Sequence, residues 1–189
     1  MNKGIIKATG EYLLFLNSGD TLINVNSLQS LIDLGKNADI IYGNIKMTES
    51  SKSREVIFPQ SLSFKFFFIN SLPHPCTLIR KELFNVVGYY REDFKIAADW
   101  AFFVQAICKY NCTYQHVNVT VADFVLGGVS STQLHIIEQE RNQIYREFFP
   151  SFADDYKEMF ILEMELSNAK KQLGYRVHKK VKTIFLKNG

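Results

Sequence analysis

Asp20 closes the segment Asn17-Ser18-Gly19-Asp20, directly behind an apolar run of strand length. In open α/β sheets, ligands bind beyond the carboxyl ends of strands. A carboxylate there can hold a divalent cation, and a glycine lets a bulky anion approach the backbone. Ser-Gly-Asp is equally ordinary turn composition, so a ligand site and a strand-ending turn both stay open. Asp99 lies in Ile96-Ala97-Ala98-Asp99-Trp100, with small apolar neighbours before it and an aromatic behind. A partly desolvated carboxylate holds its proton more firmly and suits a general base. The same position also suits the N-cap of a following helix. His74, between Pro73 and Pro75, sits in a loop that cannot be helical; it is placed to meet a ligand or to serve as a satisfied structural residue. Gly127-Gly128-Val129-Ser130-Ser131 can wrap a phosphate with backbone N–H groups or act as a flexible turn. It lacks the glycine spacing and the lysine of nicotinamide and ATP loops.

These residues need elements to position them. Glu11 to Asn17 is continuously apolar in its middle, which predicts a strand buried on both faces of a parallel sheet. Asn26 to Leu34 has helical apolar spacing and a Gly35 stop. Ala38 to Met47 and Arg54 to Phe58 read as strands, and Ser63 to Ile69 as a short aromatic helix. Cys76 to Ile79 predicts a short strand, and Lys81 to Val87 a helix stopped by Gly88. Ala98 to Tyr110 reads as a helix, Tyr114 to Val121 as a strand, and Leu134 to Phe148 and Phe152 to Leu166 as helices separated by Pro150. Strands separated by helix-length gaps indicate an α/β domain over 1–150, followed by a helical segment over 151–189.

The chain has 189 residues with 47% apolar and 14% aromatic content, enough for one sizeable core and against disorder. No apolar run approaches the ~20 residues that cross a bilayer, and Met1 to Lys7 lacks a signal-peptide pattern, so an intracellular location is expected. Cys76, Cys108 and Cys112 form no C-x-x-C pair and read as small buried hydrophobes rather than zinc ligands or disulfides. The formal charge of +3 hides an asymmetry: Met1 to Leu166 carries 15 basic and 19 acidic residues, while Ser167 to Gly189 carries seven basic and no acidic ones. Leu173, Val177, Val181, Ile184 and Phe185 repeat at helical spacing in that basic tail. A tail helix packed on the domain and one lying on an anionic membrane both fit; nucleic acid is not expected, because the body is acidic and no binding motif occurs.

The order of the segments adds what none carries singly. Asn2-Lys3-Gly4-Ile5, then Ala8-Thr9-Gly10-Glu11-Tyr12 leading to Asn17-Ser18-Gly19-Asp20, resembles the central motif of family 2 glycosyltransferases. Pro73-His74-Pro75, Arg80-Lys81-Glu82-Leu83-Phe84, Ala97-Ala98-Asp99-Trp100 and Gly127-Gly128-Val129-Ser130 follow in the family's order, covering about Met1 to Glu147. The resemblance implies a GT-A (nucleotide-diphospho-sugar transferase-like) fold with C-terminal helices. It implies inverting transfer of a sugar from a nucleotide-diphosphate donor to a glycan or lipid-linked acceptor in envelope or exopolysaccharide synthesis. Asp20 would hold Mg²⁺ or Mn²⁺, with Asn17, Ser18, Gly19, Gly127, Gly128 and Ser130 about the donor. Asp99 would be the base, with His74 and Trp100 on the acceptor side. Gly19 stands where many members carry a second Asp, and Ala98 where many carry Glu.

In the family the N-K-G segment follows roughly a third of the domain, which contains nucleotide-binding strands. Here Met1 falls inside the motif, so the expectation is an N-terminally truncated GT-A domain, weak or inactive alone. The alternative is a non-catalytic remnant that binds a membrane or partner. The expected location is cytoplasmic, peripheral at the inner membrane face through residues 170–187.

Overall fold

The structure, a computed structural model, describes residues 1–35, 37–49, 52–127 and 133–187, with side chains through residue 172. The chain divides into two compact units, Met1–Phe148 and Phe149–Gly189. The first is a mixed α/β unit, as the alternation of elements predicts. Its elements are α1 (Asn2–Lys7), β1 (Tyr12–Leu13), β2 (Thr21–Leu22), α2 (Ser27–Leu34), β3 (Ile40–Glu49), β4 (Lys52–Val56) and α3 (Phe64–Ile69). A 3-10 turn (His74–Cys76), β5 (Thr77–Arg80), α4 (Leu83–Val87), α5 (Ala98–Cys108), β6 (Tyr114–Val125) and α6 (Leu134–Phe148) complete it. The second unit is one helix, α7 (Pro150–Lys187).

The sheet has the order β1-β5-β3-β6-β2, with β4 also pairing β3. Strand β3 is its frame. Its first six residues are all buried, as the near-continuous apolar run Ile40-Ile41-Tyr42 requires of a central strand. One side of β3 pairs with β5 through Ile40–Tyr42 and with β4 through Ile45–Glu49, both antiparallel. The other side runs parallel to β6, with the register slipping around Asn44. Asn44, 2% exposed, is satisfied there: its amide donates to Asn118 Oδ1, and its oxygen accepts from Phe58 N and meets His116 Nε2 at 2.8 Å. Helix α5 is buried around nearly its whole circumference from Trp100 to Ile107, the mark of an internal helix. It packs against α3, α4 and α6.

The expectation of a two-face-buried strand over Glu11 to Asn17 is overturned. Only Tyr12–Leu13 is strand, it lies at the sheet edge on β5 alone, and no residue from Glu11 to Asn17 is fully buried. Its apolar residues serve other purposes: Tyr12 carries the Arg80 guanidinium over its ring at 4.8 Å, and Phe15 lies against His74. Nor is the sheet parallel throughout, since only β3 and β6 run parallel. The short strand β2 escapes any pattern reading because two residues have no periodicity. Pro150 does not separate two short helices from each other so much as open a 38-residue one, at the first helical position where its missing N–H costs nothing. Cys76 is fully buried, whereas Cys108 and Cys112 are only partly so; burial pushes both of the latter thiols up to about 11.

Gly43 sits where β3 and β6 approach most closely. A Cβ there would meet Val119 O at 2.5 Å and Val121 Cγ2 at 2.6 Å. The backbone atom cannot yield, so Gly43→Ala should destabilise the fold by roughly 1–3 kcal/mol. Urea denaturation checks this as a lowered midpoint with an unchanged slope.

Candidate functional site

Three segments far apart in sequence meet at one end of the sheet. The turn after β1 carries Asp20, the 3-10 turn before β5 carries His74, and the first turn of α5 carries Asp99. The pairing Leu13↔Ile79 brings the chain after β1 alongside the 3-10 turn, and Phe15 touches the His74 ring with centroids 5.1 Å apart. His74 Nδ1 faces Asp99 Oδ2 at 4.0 Å, beyond hydrogen-bond length but within ion-pair range. Asp20 acts electrostatically on His74 and His74 on Asp20.

Asn17 to Asp20 forms a tight turn in which Asp20 N donates to Asn17 O at 3.1 Å and Asn17 N donates to Asp20 Oδ2 at 3.1 Å. Gly19, third in the turn, has φ +97°. That conformation disfavours any residue with a side chain, which gives a backbone reason for glycine where a second acid was the comparison. Burial raises the Asp20 pKa, opposed by its bonds within the turn and by His74.

His74 is 4% exposed, walled by Phe15, Tyr90 and Phe103. Its Nε2 lies 3.0 Å from the Tyr90 hydroxyl. Burial lowers the His74 pKa, and the pull of Asp99 and Asp20 does not reverse it. Burial, and then the charge of Asp99, raise the Tyr90 pKa, so its phenol stays protonated. In the tautomer where Tyr90 donates to Nε2, the neutral imidazole carries its proton on Nδ1, on the side of Asp99. Tyr90 is itself held by Asn2, whose amide donates to Tyr90 O at 2.9 Å and whose oxygen accepts from Tyr90 N at 3.1 Å.

Asp99 is not the N-cap of α5. Ala97 is, and it has no side-chain cap of its own. Asp99 stands one position inside the helix, with Oδ1 accepting from Trp100 N at 2.7 Å and the side chain 30% exposed. A carboxylate in the first turn is favoured by the helix dipole. The chain entering α5 is held from α6: Glu140, 8% exposed, accepts from Lys95 N at 2.5 Å, Ile96 N at 3.1 Å and Ala97 N at 2.7 Å. Trp100 does not line the site. It is 1% exposed, donates its indole N–H to Phe67 O at 2.7 Å, and carries the Arg141 guanidinium over its ring at 4.7 Å.

Gly127 is exposed with φ +119°, just past the end of β6, where Leu126 N still bonds Thr48 O. The pairing Thr21↔Asp123 sets Asp20 near the same end of β6. Gly128 and Ser130 lie outside the described residues, as do the side chains of the basic tail beyond residue 172. Among the described residues no three His, Cys, Asp or Glu side chains converge as a metal cage, and no helix is long and apolar enough to cross a membrane. Sequence reasoning missed Tyr90 and Glu140.

No protein-family model matches the chain. It is similar to glycosyltransferases: proteins named "PGL/p-HBAD biosynthesis glycosyltransferase" from Mycobacterium bovis and Mycobacterium tuberculosis are 27% identical over 144 residues. The match covers 74% of this chain and 54% of theirs, so the chain spans about half the length of the curated relatives it matches. Among solved structures, S. aureus TarS 1-349 in complex with UDP-GlcNAc is 23% identical at TM-score 0.49, over 69% of this chain and 40% of that one. The same protein in complex with UDP is 21% identical at TM-score 0.47, over 80% and 49%.

The buried imidazole makes a pH prediction. The folded His74 pKa lies below its ordinary 6.5, so the unfolded chain takes up a proton that the folded chain refuses. Stability is whole above that ordinary value and is lost as pH falls through it toward the folded pKa. Asp20, with its pKa raised from 3.8, acts in the opposite sense: its share is present below 3.8 and lost as pH rises through the folded pKa. Thermal unfolding between pH 7.5 and 5 should therefore show a falling Tm that flattens in His74→Gln; parallel curves for the two proteins would refute the assignment.

Proposed function

We propose that this chain forms part of a family 2 glycosyltransferase of GT-A fold, transferring a sugar from a nucleotide-diphosphate donor to an acceptor hydroxyl with inversion. The observation that carries this reading is the meeting of Asp20, His74 and Asp99 at one sheet end, in a chain similar to glycosyltransferases.

Asp99 is the base. It takes the proton of the acceptor hydroxyl as that oxygen bonds to the anomeric carbon and the bond from sugar to diphosphate breaks. Its Oδ2 is free of backbone hydrogen bonds, and its partial exposure gives an acceptor access. Neutral His74 supports a charged Asp99 as a dipole without competing for the proton. Asp20 is the donor-side carboxylate for Mg²⁺ or Mn²⁺. A single carboxylate fits a cation of this kind, which commonly takes one or two carboxylates and completes its shell with substrate phosphates and water. Such a cation would supply charge stabilisation to the leaving diphosphate. Gly19, Ser18 and Asn17, with Gly127, Gly128 and Ser130, border the donor. The acceptor is a glycan or a lipid-linked sugar of envelope polysaccharide synthesis, and the enzyme works at the cytoplasmic membrane face.

The test is donor turnover by the protein as its source makes it, followed as release of nucleoside diphosphate. Asp99→Asn should lower turnover by roughly 100-fold or more while leaving donor affinity within about twofold, the scale of a lost general base. Asp20→Ala should weaken metal-dependent donor binding. Full turnover in Asp99→Asn would overturn the role of base, and metal-dependent donor binding unchanged in Asp20→Ala would overturn the metal role.

The basic residues between 170 and 187 are read as a contact to anionic lipid, supported by their helical apolar spacing and by a charge of seven against none. Sedimentation with phosphatidylserine-containing vesicles should fall on deletion of 170–189 and on raising salt; equal pelleting with and without that segment would remove the membrane role.

A further inference from the structure

We infer that Glu140 is a positioning residue for Asp99: by gathering the three amides that lead into α5, it fixes the start of the helix that carries Asp99. The inference rests on the reading of Asp99 as the base.

A helix begins with amides that have no partner, and its entering chain must be fixed by something that accepts from them. Asp, Ser, Thr or Asn at the N-cap normally does so. Here the N-cap is Ala97, which cannot. The nearest candidate in sequence is Asp99. Asp99 serves one first-turn amide, that of Trp100, through Oδ1 and leaves the amides before the helix to another acceptor.

Glu140 is that acceptor. Its carboxylate, 8% exposed, gathers the N–H groups of Lys95, Ile96 and Ala97, three consecutive donors immediately before the helix. Both carboxylate oxygens are used: Oε1 by Lys95 and Oε2 by Ile96 and Ala97. Bonds from N–H to an ionised acceptor are about twice as strong as neutral ones. The charge is therefore both satisfied by its partners and placed at the positive end of the α5 dipole. Asp99 keeps one local bond, Oδ1 to Trp100 N, which sets its rotamer and leaves Oδ2 directed at His74. Next along α6, Arg141 covers Trp100, so consecutive residues of α6 hold the chain entering α5 and the residue that follows Asp99.

The substitution Glu140→Gln tests this. Gln keeps the length and one acceptor oxygen, but turns an NH₂ toward backbone N–H groups and removes the charge. A misplacement of about 1 Å in a catalytic group can cost ~100-fold in rate. We expect kcat to fall roughly 10- to 100-fold in Glu140→Gln, with donor KM and donor affinity within about twofold of the parent. Glu140→Asp, too short to span the three amides, should fall similarly. Amide hydrogen exchange of Ala97 to Trp100 should quicken in both variants, a readout that needs no turnover. Parent-like kcat in Glu140→Gln overturns the inference, as does a loss of donor affinity that matches the loss in kcat. Parent-like exchange at Ala97 to Trp100 also overturns it. A parent protein that shows no sugar transfer defeats the reading of Asp99 as base instead, and the exchange measurement still decides whether Glu140 fixes the turn.

Discussion

The parallel pairing of β3 with β6 is the constraint on which the rest of the first unit depends. Parallel neighbours cannot be joined by a tight turn, so the chain must travel back from the end of β3 to the start of β6. That return, residues 50–113, contains β4, α3, the 3-10 turn, β5, α4 and α5. His74, Tyr90 and Asp99 all lie on it. The site is thus mostly a product of the crossover, fixed on one side by the antiparallel return of β5 along β3 and on the other by the burial of α5. Asp20 arrives separately, from the turn between two short strands at opposite edges of the sheet.

Within that frame the site separates structural duty from chemical duty. Polar groups that must be satisfied are served by residues with no free oxygen or nitrogen left over. Glu140 is consumed by three amides, and Asn2 by both backbone groups of Tyr90. Tyr90 in turn occupies His74 Nε2. Left without a hydrogen bond at the site are His74 Nδ1 and Asp99 Oδ2, facing one another at 4.0 Å; behind them, against Trp100, Arg141 Nε and the Tyr145 hydroxyl are buried without a hydrogen-bond partner among the described residues. Uncommitted polar atoms in a largely buried setting are costly to the fold, and they are tolerated where a substrate or a proton is to be received.

How much of this was legible in the sequence depends on whether a feature is local. Helix α6 matches its expected limits because a 3.6-residue pattern and the following proline are both local signals. The mixed α/β class followed from spacing. The run Tyr12 to Leu16 misled, because continuous apolarity records how much surface a strand hides and not whether strands or aromatic rings hide it. Phe15 spends its ring on His74 and Tyr90, so an edge segment reads like a central one. Asp20, His74 and Asp99 could be named in advance from segment order, though their convergence could not. Tyr90 and Glu140 were invisible for the opposite reason: Tyr90 meets His74 and Asn2 16 and 88 residues away, Glu140 meets its amides 43 to 45 residues away, and nothing near them in the chain marks the contact.

The burial of His74 also bears on which proton transfers the arrangement permits. A solvent-exposed histidine beside an aspartate would be charged through much of the neutral range, and its imidazolium would hold the carboxylate in an ion pair that resists protonation. Burial behind Phe15, Tyr90 and Phe103 keeps the ring neutral, because the cost of desolvating a charge exceeds the attraction of Asp99 and Asp20. A neutral ring 4.0 Å from Asp99 Oδ2 does not pair with the carboxylate as an imidazolium would. Under the proposed reading this is the difference between a base and a salt bridge, and it is set by the three aromatic rings packed on His74.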